Sequence, residues 1–379
     1  MRTVQKLPDD LKELLALVRA GKLFAVRKWI AEGRNYGATE THRLNPVYEA
    51  MEMSFHSMVE VFLAAGLNQS LKDDLLDMAV DRKRFDLILL CQQYGARLSS
   101  VDFESVCETR NPQLIRFFLD HGADAVTGQP FAKALKHACR PLLGIYMSYK
   151  DKIPGLKPQL DLALRHHVME NHIGYVCLLL WAGADPRNPL PDIDDEDGNS
   201  IVSTALEEAV WHGQVEMIEK MKLDPSKDDV HHLLRRACCS GRWPVIEKFL
   251  QLGADPNAQD PDDTSAMSVL LGRLVWKIKP VFGYRSDSEI DQMLETVCKF
   301  ADRGGRWRLP DRYRMRDLRR ALTELSPDKI EKVVLKFRAH KVCSDEGLFE
   351  LINTTKLKKH LDVRFIKLKA ALTLKVHRV

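Results

Sequence analysis

The chain has 379 residues, 29% of them charged and 7% aromatic, with a net charge of +4. No apolar run approaches the roughly 18 residues a membrane helix needs, and residues 1 to 10 lack the apolar core of a secretion signal. Eight cysteines, none in a Cys-x-x-Cys pair, argue against a disulfide framework or a structural zinc centre, so the expectation is an intracellular, cytoplasmic protein with reduced thiols.

From residue 10 onward one frame recurs: a short helix, a break, a second helix, and a glycine that ends it. It is first legible at Leu15 to Val18, Gly21, Leu23 to Ile30 and Gly33. The closing phrase returns at Tyr94-Gly95-Ala96, His121-Gly122-Ala123-Asp124, Ala182-Gly183-Ala184-Asp185-Pro186 and Leu252-Gly253-Ala254-Asp255-Pro256-Asn257. A glycine past the last turn takes the left-handed conformation that stops a helix, and Asp-Pro then starts an extended or turn segment. The first helices of the pairs are predicted to begin near Leu11, Pro46, Leu71, Val101, Phe131, Leu156, Ser203, Val230 and Ser265, about nine pairs in all. Intervals of 33, 29 and 27 residues between Gly33, Gly66, Gly95 and Gly122 are uneven, which predicts that several connections shrink to simple turns. In the second helix of each pair the apolar residues fall three and four apart, so one face must be covered by the neighbouring pair. Self-similarity at such a period is the mark of a stacked array, in which one unit cannot bury its own apolar face.

The clearest unit is residues 228 to 267: Leu234 to Ala237, Gly241, Val245 to Leu250, then Gly253-Ala254-Asp255 and Asn257. The next clearest opens with Thr204-Ala205-Leu206-Glu207-Glu208-Ala209, followed by Gly213 and Val215 to Met221. In these residues the chain resembles the ankyrin repeat family, over about residues 10 to 302. The family opens its inner helix on Thr-Pro-Leu-His and closes each repeat on Gly-Ala-Asp-x-Asn before a hairpin finger. Here Ala205 and Glu207 stand where the family has Pro and His, and the absent histidine, which ties one repeat to the next, implies divergent repeats. The resemblance implies an all-α fold: an ankyrin-type helix-pair solenoid over residues 1 to 302, with short or irregular hairpin fingers. Residues 303 to 379 would then be a basic helical cap or further degenerate repeats.

The resemblance also implies a non-catalytic scaffold that binds a protein partner on a concave face made of inner helices and fingers. Exposed aromatics and arginines tend to anchor such surfaces, which selects Trp211 and His212 at the end of one inner helix and Arg242 and Trp243 at the next break. Trp211 and Trp243 have an alternative reading as spacers that fill the gap between repeats. The finger residues Asp195, Asp197, Asn199, Asp260 and Asp262 join the candidate set. Two insertions, residues 188 to 199 and 278 to 288, would fall on loops of one face, often the binding face.

Catalytic and metal chemistry find little support. In His166-His167-Val168-Met169-Glu170-Asn171-His172 the glutamate is not next to the first histidine as a metalloprotease helix requires, and Asn171 reads as a helix break. Counted from Asp192, the acidic loop has Asp197 where a calcium loop needs glycine and Ser203 where it needs glutamate. Phosphate-cradling loops, dinucleotide fingerprints and serine elbows are absent, so no cofactor, metal or small-molecule substrate is expected.

Charge divides unevenly. Residues 301 to 379 hold 21 Lys or Arg against 10 Asp or Glu, a balance of +11 that leaves residues 1 to 300 at −7. Arg303, Arg306, Arg308, Arg312, Arg314, Arg316, Arg319 and Arg320 crowd together with Trp307 and Tyr313 between them, and Lys356, Lys358 and Lys359 follow. Two readings stand: a solvated cap that keeps the last repeat soluble, or an anion-binding surface on which phosphates meet Arg303, Arg306, Arg308, Arg312, Arg316, Arg320 and the lysines while aromatics stack on bases. A helix from Arg312 to Glu324 is expected to bury Leu318 and Leu322, with Leu325 beyond it. Ser326 is expected to cap the next helix, with Pro327 at its first position.

Overall fold

The computed structural model describes residues 9–37, 45–191, 202–259, 264–280, 286–307 and 312–373. Among these residues the regular elements are helices, and no multi-residue strand forms. An isolated antiparallel bridge joins Gln259 and Ser265 at the root of one expected finger. The described residues thus form an all-α array of helix pairs.

The pairing follows from local rules. Short polar side chains open many of the inner helices: the Asn45 carboxamide accepts the Val47 N–H, Asn68 that of Leu71, Asp229 those of His231 and His232, and Ser344 that of Gly347. Between the two helices of a pair the backbone turns left-handed at one residue. That residue is Gly21, Ser54, Lys83, Arg110, Ala138, Asn171, Gly213 and Gly241 in eight successive pairs. A second left-handed glycine closes the outer helix at Gly33, Gly66, Gly95, Gly122, Gly183, Gly253 and Gly304. The first of these two positions is masked in the sequence wherever a residue other than glycine fills it.

The helices divide into two compact units, Met1–His167 with Leu178–Val202, and Val168–Cys177 with Ser203–Val379. In the first unit the inner helices Asp9–Arg19, Pro46–Glu52, Gln69–Asp81, Phe103–Glu108 and Pro130–Lys136 pack side by side. Their outer partners Leu23–Ala31, His56–Ala65 and Phe85–Gln93 form a second row, as do Pro112–Asp120 and Arg140–Tyr149. The core between the rows holds Leu14, Val18, Phe62, Leu75, Phe118 and Phe131, all buried. Gln159 stitches the end of this row, accepting the Phe131 N–H at 2.8 Å and donating to the Ala125 carbonyl at 2.7 Å.

In the second unit the inner row is Ala205–Trp211, Val230–Ser240, Ala266–Ile278, Arg312–Leu322 and Asp345–Ile352. The outer helices Val215–Lys220, Trp243–Gln251, Asp287–Asp302 and Pro327–Ala339 back it, and Thr355–Leu361 and Val363–Thr373 follow. Phe249, Phe300 and Phe337 fill the core behind the inner row. Leu318, Leu322 and Leu325 are buried as expected, although the helix ends at Leu322 rather than Glu324. Pro327 holds the first helical position, but the Ser326 hydroxyl makes no capping bond, a correction to its expected role.

A bond of fixed span closes three repeats. The residue after Gly-Ala donates its N–H to a side chain 24 residues earlier: Arg97 to Asp73 at 2.8 Å, Asp185 to Asp161 at 2.6 Å, and Asp255 to His231 Nδ1 at 2.9 Å. Each ties the end of an outer helix to its own inner helix. Between repeats, the ring of His232 meets Glu207 at 2.8 Å, so the link expected to be missing with the family histidine is made by a glutamate in its place.

Candidate functional site

The expected partner-binding residues that the structure describes lie in the second unit. Trp211 is the last residue of Ala205–Trp211 and remains 42% exposed. Beside it His212 sits 3.7 Å from Glu208, whose other oxygen takes the Ser203 hydroxyl. Arg242 precedes Trp243–Gln251 and lies across the Gly213 turn, where an added Cβ would stand 2.3 Å from its Cδ. Glycine at 213 suits both the φ of +71° and the arginine packed over it, where a side chain would displace Arg242. Trp243 is half-buried on the wall of a groove of about 780 Å³. Arg242, Arg273, Lys277, Met293 and Lys299 share that wall.

The inner row brings in residues the sequence reading did not select. The Arg236 guanidinium stands 5.0 Å from the centroid of the Trp211 ring, and Arg273 stands 4.8 Å from that of Trp276, itself 42% exposed. Burial pushes the Cys239 thiol above its ordinary value, opposed in part by the fields of Arg236 and Arg273. Arg314, on the next inner helix, covers Gly272, where a Cβ would meet its Cζ at 2.7 Å. Trp211, Arg236, Arg273, Trp276 and Arg314 thus form one column across four adjacent inner helices. These residues sit at different depths of their helices, from the first turn for Arg314 to the last for Trp211, so the column shows only once the helices are aligned in register.

The fingers give a different result. Asp195, Asp197, Asn199, Asp260 and Asp262 lie outside the described residues, as does Arg308. Of the insertions, residues 188–191, 278–280 and 286–288 are described, and Asn188 donates to Asp161 at 2.9 Å.

The basic C-terminal stretch is largely engaged in holding its own helices. Arg303 pairs with Glu247 at 2.7 Å, Lys332 with Asp291 at 2.8 Å, and His340 with Asp302 at 2.9 Å. Lys329 pairs with Asp287, and Arg364 with Asp328. Arg319 reaches the Glu350 carbonyl at 2.7 Å. Arg306 turns inward, donating to the Gly305 carbonyl at 2.8 Å and to that of Ala301, where it closes the end of Asp287–Asp302. Trp307 is only 3% exposed and its backbone N–H donates to the Val342 carbonyl at 2.8 Å, so it offers no face to a base, a correction to the stacking role that one of the two readings gave it. The Gly304-Gly305 pair is a packing device: a Cβ on Gly305 would sit 2.3 Å from the Phe300 ring. Arg316 lies 3.7 Å from Asp317 and Lys358 lies 5.5 Å from the Phe365 centroid, while Arg320, Lys356 and Lys359 are exposed. Arg312 is the first residue of its helix.

One histidine of the pair is likewise structural. His167 is fully buried and its Nε2 bonds the Leu135 carbonyl at 2.9 Å. Asn171 breaks the helix as expected, and its backbone there is left-handed. Among the described residues no three His, Cys, Asp or Glu converge as a metal site would require, and no helix is long and apolar enough to cross a membrane. Six of the eight cysteines are buried, and burial pushes the thiols of Cys91 and Cys343 up to about 12.

No family model and no curated protein sequence matches the chain. Among solved structures it is similar to the ankyrin repeat domain of Bcl-3, a member of the IkappaB protein family, at 17% identity and a TM-score of 0.29, over 74% of this chain and 96% of that one. It is also similar to the human ASB11 ankyrin repeat domain at 15% identity and a TM-score of 0.23, over 75% of this chain and 96% of that one.

Proposed function

We propose that this chain is a non-catalytic scaffold that recognises a protein partner through the inner helices of its second unit. One observation carries the reading: two half-exposed tryptophans, Trp211 and Trp276, each held under an arginine on a row of rigid helices. Tryptophan and arginine are the residues that most often dominate binding energy at protein interfaces. Their placement on helices fixes them before the partner arrives, which lowers the ordering cost of binding. Arg242 and Trp243 extend the surface at the neighbouring helix break.

The nucleic-acid reading of residues 303 to 379 has less behind it, because Arg303 and Arg306 are engaged and Trp307 is buried. Affinity purification from the native cell, split into nuclease-treated and untreated halves, separates the two. The scaffold reading expects the same protein partner in both halves, and its recovery reduced by Arg242→Ala with Trp243→Ala at unchanged helicity. Recovery that collapses on nuclease treatment would move the function to the basic end.

A further inference from the structure

We infer that the column on the inner row receives an extended acidic segment of the partner, its carboxylates read by Arg236 and Arg273 and its apolar side chains laid against Trp211 and Trp276. This rests on the scaffold reading and specifies the partner's chemistry. The Nε atoms of Arg236 and Arg273 are shut off from solvent without a hydrogen-bond partner, an unusual state for a buried donor. Nearby carboxylates are engaged elsewhere: Glu207 accepts the Thr204 N–H and meets His232, Glu208 takes the Ser203 hydroxyl, and Glu289 pairs with Lys277. Among the described residues neither guanidinium forms a close ion pair, Glu207 acting on Arg236 only through space, and Arg314 over Gly272 extends the positive column to the next helix.

Geometry sets the spacing of the ligand. Adjacent packed helices stand about 8–10 Å apart, and an extended chain advances about 3.3 Å per residue. One arginine per helix then matches one carboxylate at every third residue. A planar guanidinium binds a carboxylate through two parallel N–H bonds, which makes the match selective for geometry as well as charge.

The test uses the full chain and a fluorescein-labelled synthetic peptide with glutamate at every third position and serine or leucine between, read by fluorescence anisotropy. A peptide of the same composition with its glutamates clustered at one end is the control, and an oligothymidylate is the competitor. The expected result is binding of the spaced peptide at least about ten-fold tighter than the clustered one, lost by at least about ten-fold in Arg236→Gln with Arg273→Gln. Arg303→Gln, which removes a residue paired with Glu247, is expected to bind as wild type. If the double variant loses its helical circular dichroism, the single variants Arg236→Gln and Arg273→Gln read the same affinity. Equal binding of spaced and clustered peptides, unchanged affinity in the arginine variants, or tighter binding of the oligothymidylate would overturn the inference. A native partner captured equally by wild type and arginine variants would sink the column and leave the scaffold standing, whereas loss of any protein partner on nuclease treatment would sink the scaffold itself.

Discussion

At the residue scale, the turn inside each helix pair shows how a repeat can persist after its consensus letters are gone. Gly21, Gly213 and Gly241 are recognisable as breaks, yet Ser54, Lys83, Arg110, Ala138 and Asn171 hold the same left-handed backbone. Such a conformation costs a residue with a Cβ roughly 1–2 kcal/mol, and a glycine gives part of that back through the greater entropy of its unfolded chain, about 0.4–1 kcal/mol. Ala138, with φ of +55°, is exposed and has no buried methyl to lose. Ala138→Gly is therefore expected to stabilise the protein by about 0.5–1 kcal/mol, seen as a higher urea midpoint at unchanged slope. A lower midpoint would show that the turn is not strained. Apart from Asn171, which reads as a break, these positions escaped the sequence reading because nothing in a lysine or an arginine announces a positive φ; only the backbone does.

At the element scale, the helix Ala205–Trp211 is held by a capping box in which Thr204 accepts the Glu207 N–H at 3.0 Å and Glu207 accepts that of Thr204 at 2.8 Å. The same carboxylate meets His232 of the next inner helix, and that bond, opposed by burial and helped by the Thr204 N–H, holds its pKa at about 2, below its ordinary 4.5. A carboxyl depressed in the folded state contributes stability that is fully present above its ordinary pKa and lost as pH falls through the folded value. Glu207→Gln keeps the box and removes the charge, so it is expected to cost about 1 kcal/mol at pH 6. That difference should shrink between pH 4.5 and about 2, the window set by the two pKa values. A difference that stays constant through this window would assign the cost to packing. The sequence reading placed Thr204 and Glu207 at a repeat start and took the absent histidine as a mark of divergent repeats, without foreseeing the bond that replaces it. A helix-to-helix bond needs only an acceptor and a donor in reach, and which residues supply them depends on register between repeats.

At the scale of the whole chain, stacked helix pairs draw their stability from neighbours, and long arrays often lose all-or-none cooperativity. Trp29 and Trp181 lie in the first unit, and Trp211, Trp243, Trp276 and Trp307 in the second, so tryptophan fluorescence mainly reports the second and circular dichroism reports both. Urea unfolding followed by the two signals is expected to give separate midpoints. Coincident curves with the steep slope of a single 379-residue transition would show one cooperative body instead. Charge adds little here: the inter-helix pairs that absorb the basic C-terminal residues are mostly exposed, and pairs of that kind contribute about 0–1 kcal/mol each.

The sequence by itself determined the class of structure. Apolar residues three and four apart, helix-closing glycines and Asp-Pro starts are local signals, since each acts within a turn or two of its own backbone, and they placed the starts of the inner helices close to where they lie. Only the tertiary structure decided which charged and aromatic residues are available. Arg303, Arg306 and Trp307 look like Arg236, Arg273 and Trp276 in a sequence, but the first set is drawn into contacts with residues up to 56 positions away and the second is left facing outward along one column. Availability is set by packing between helices distant in the chain, and no local pattern encodes it.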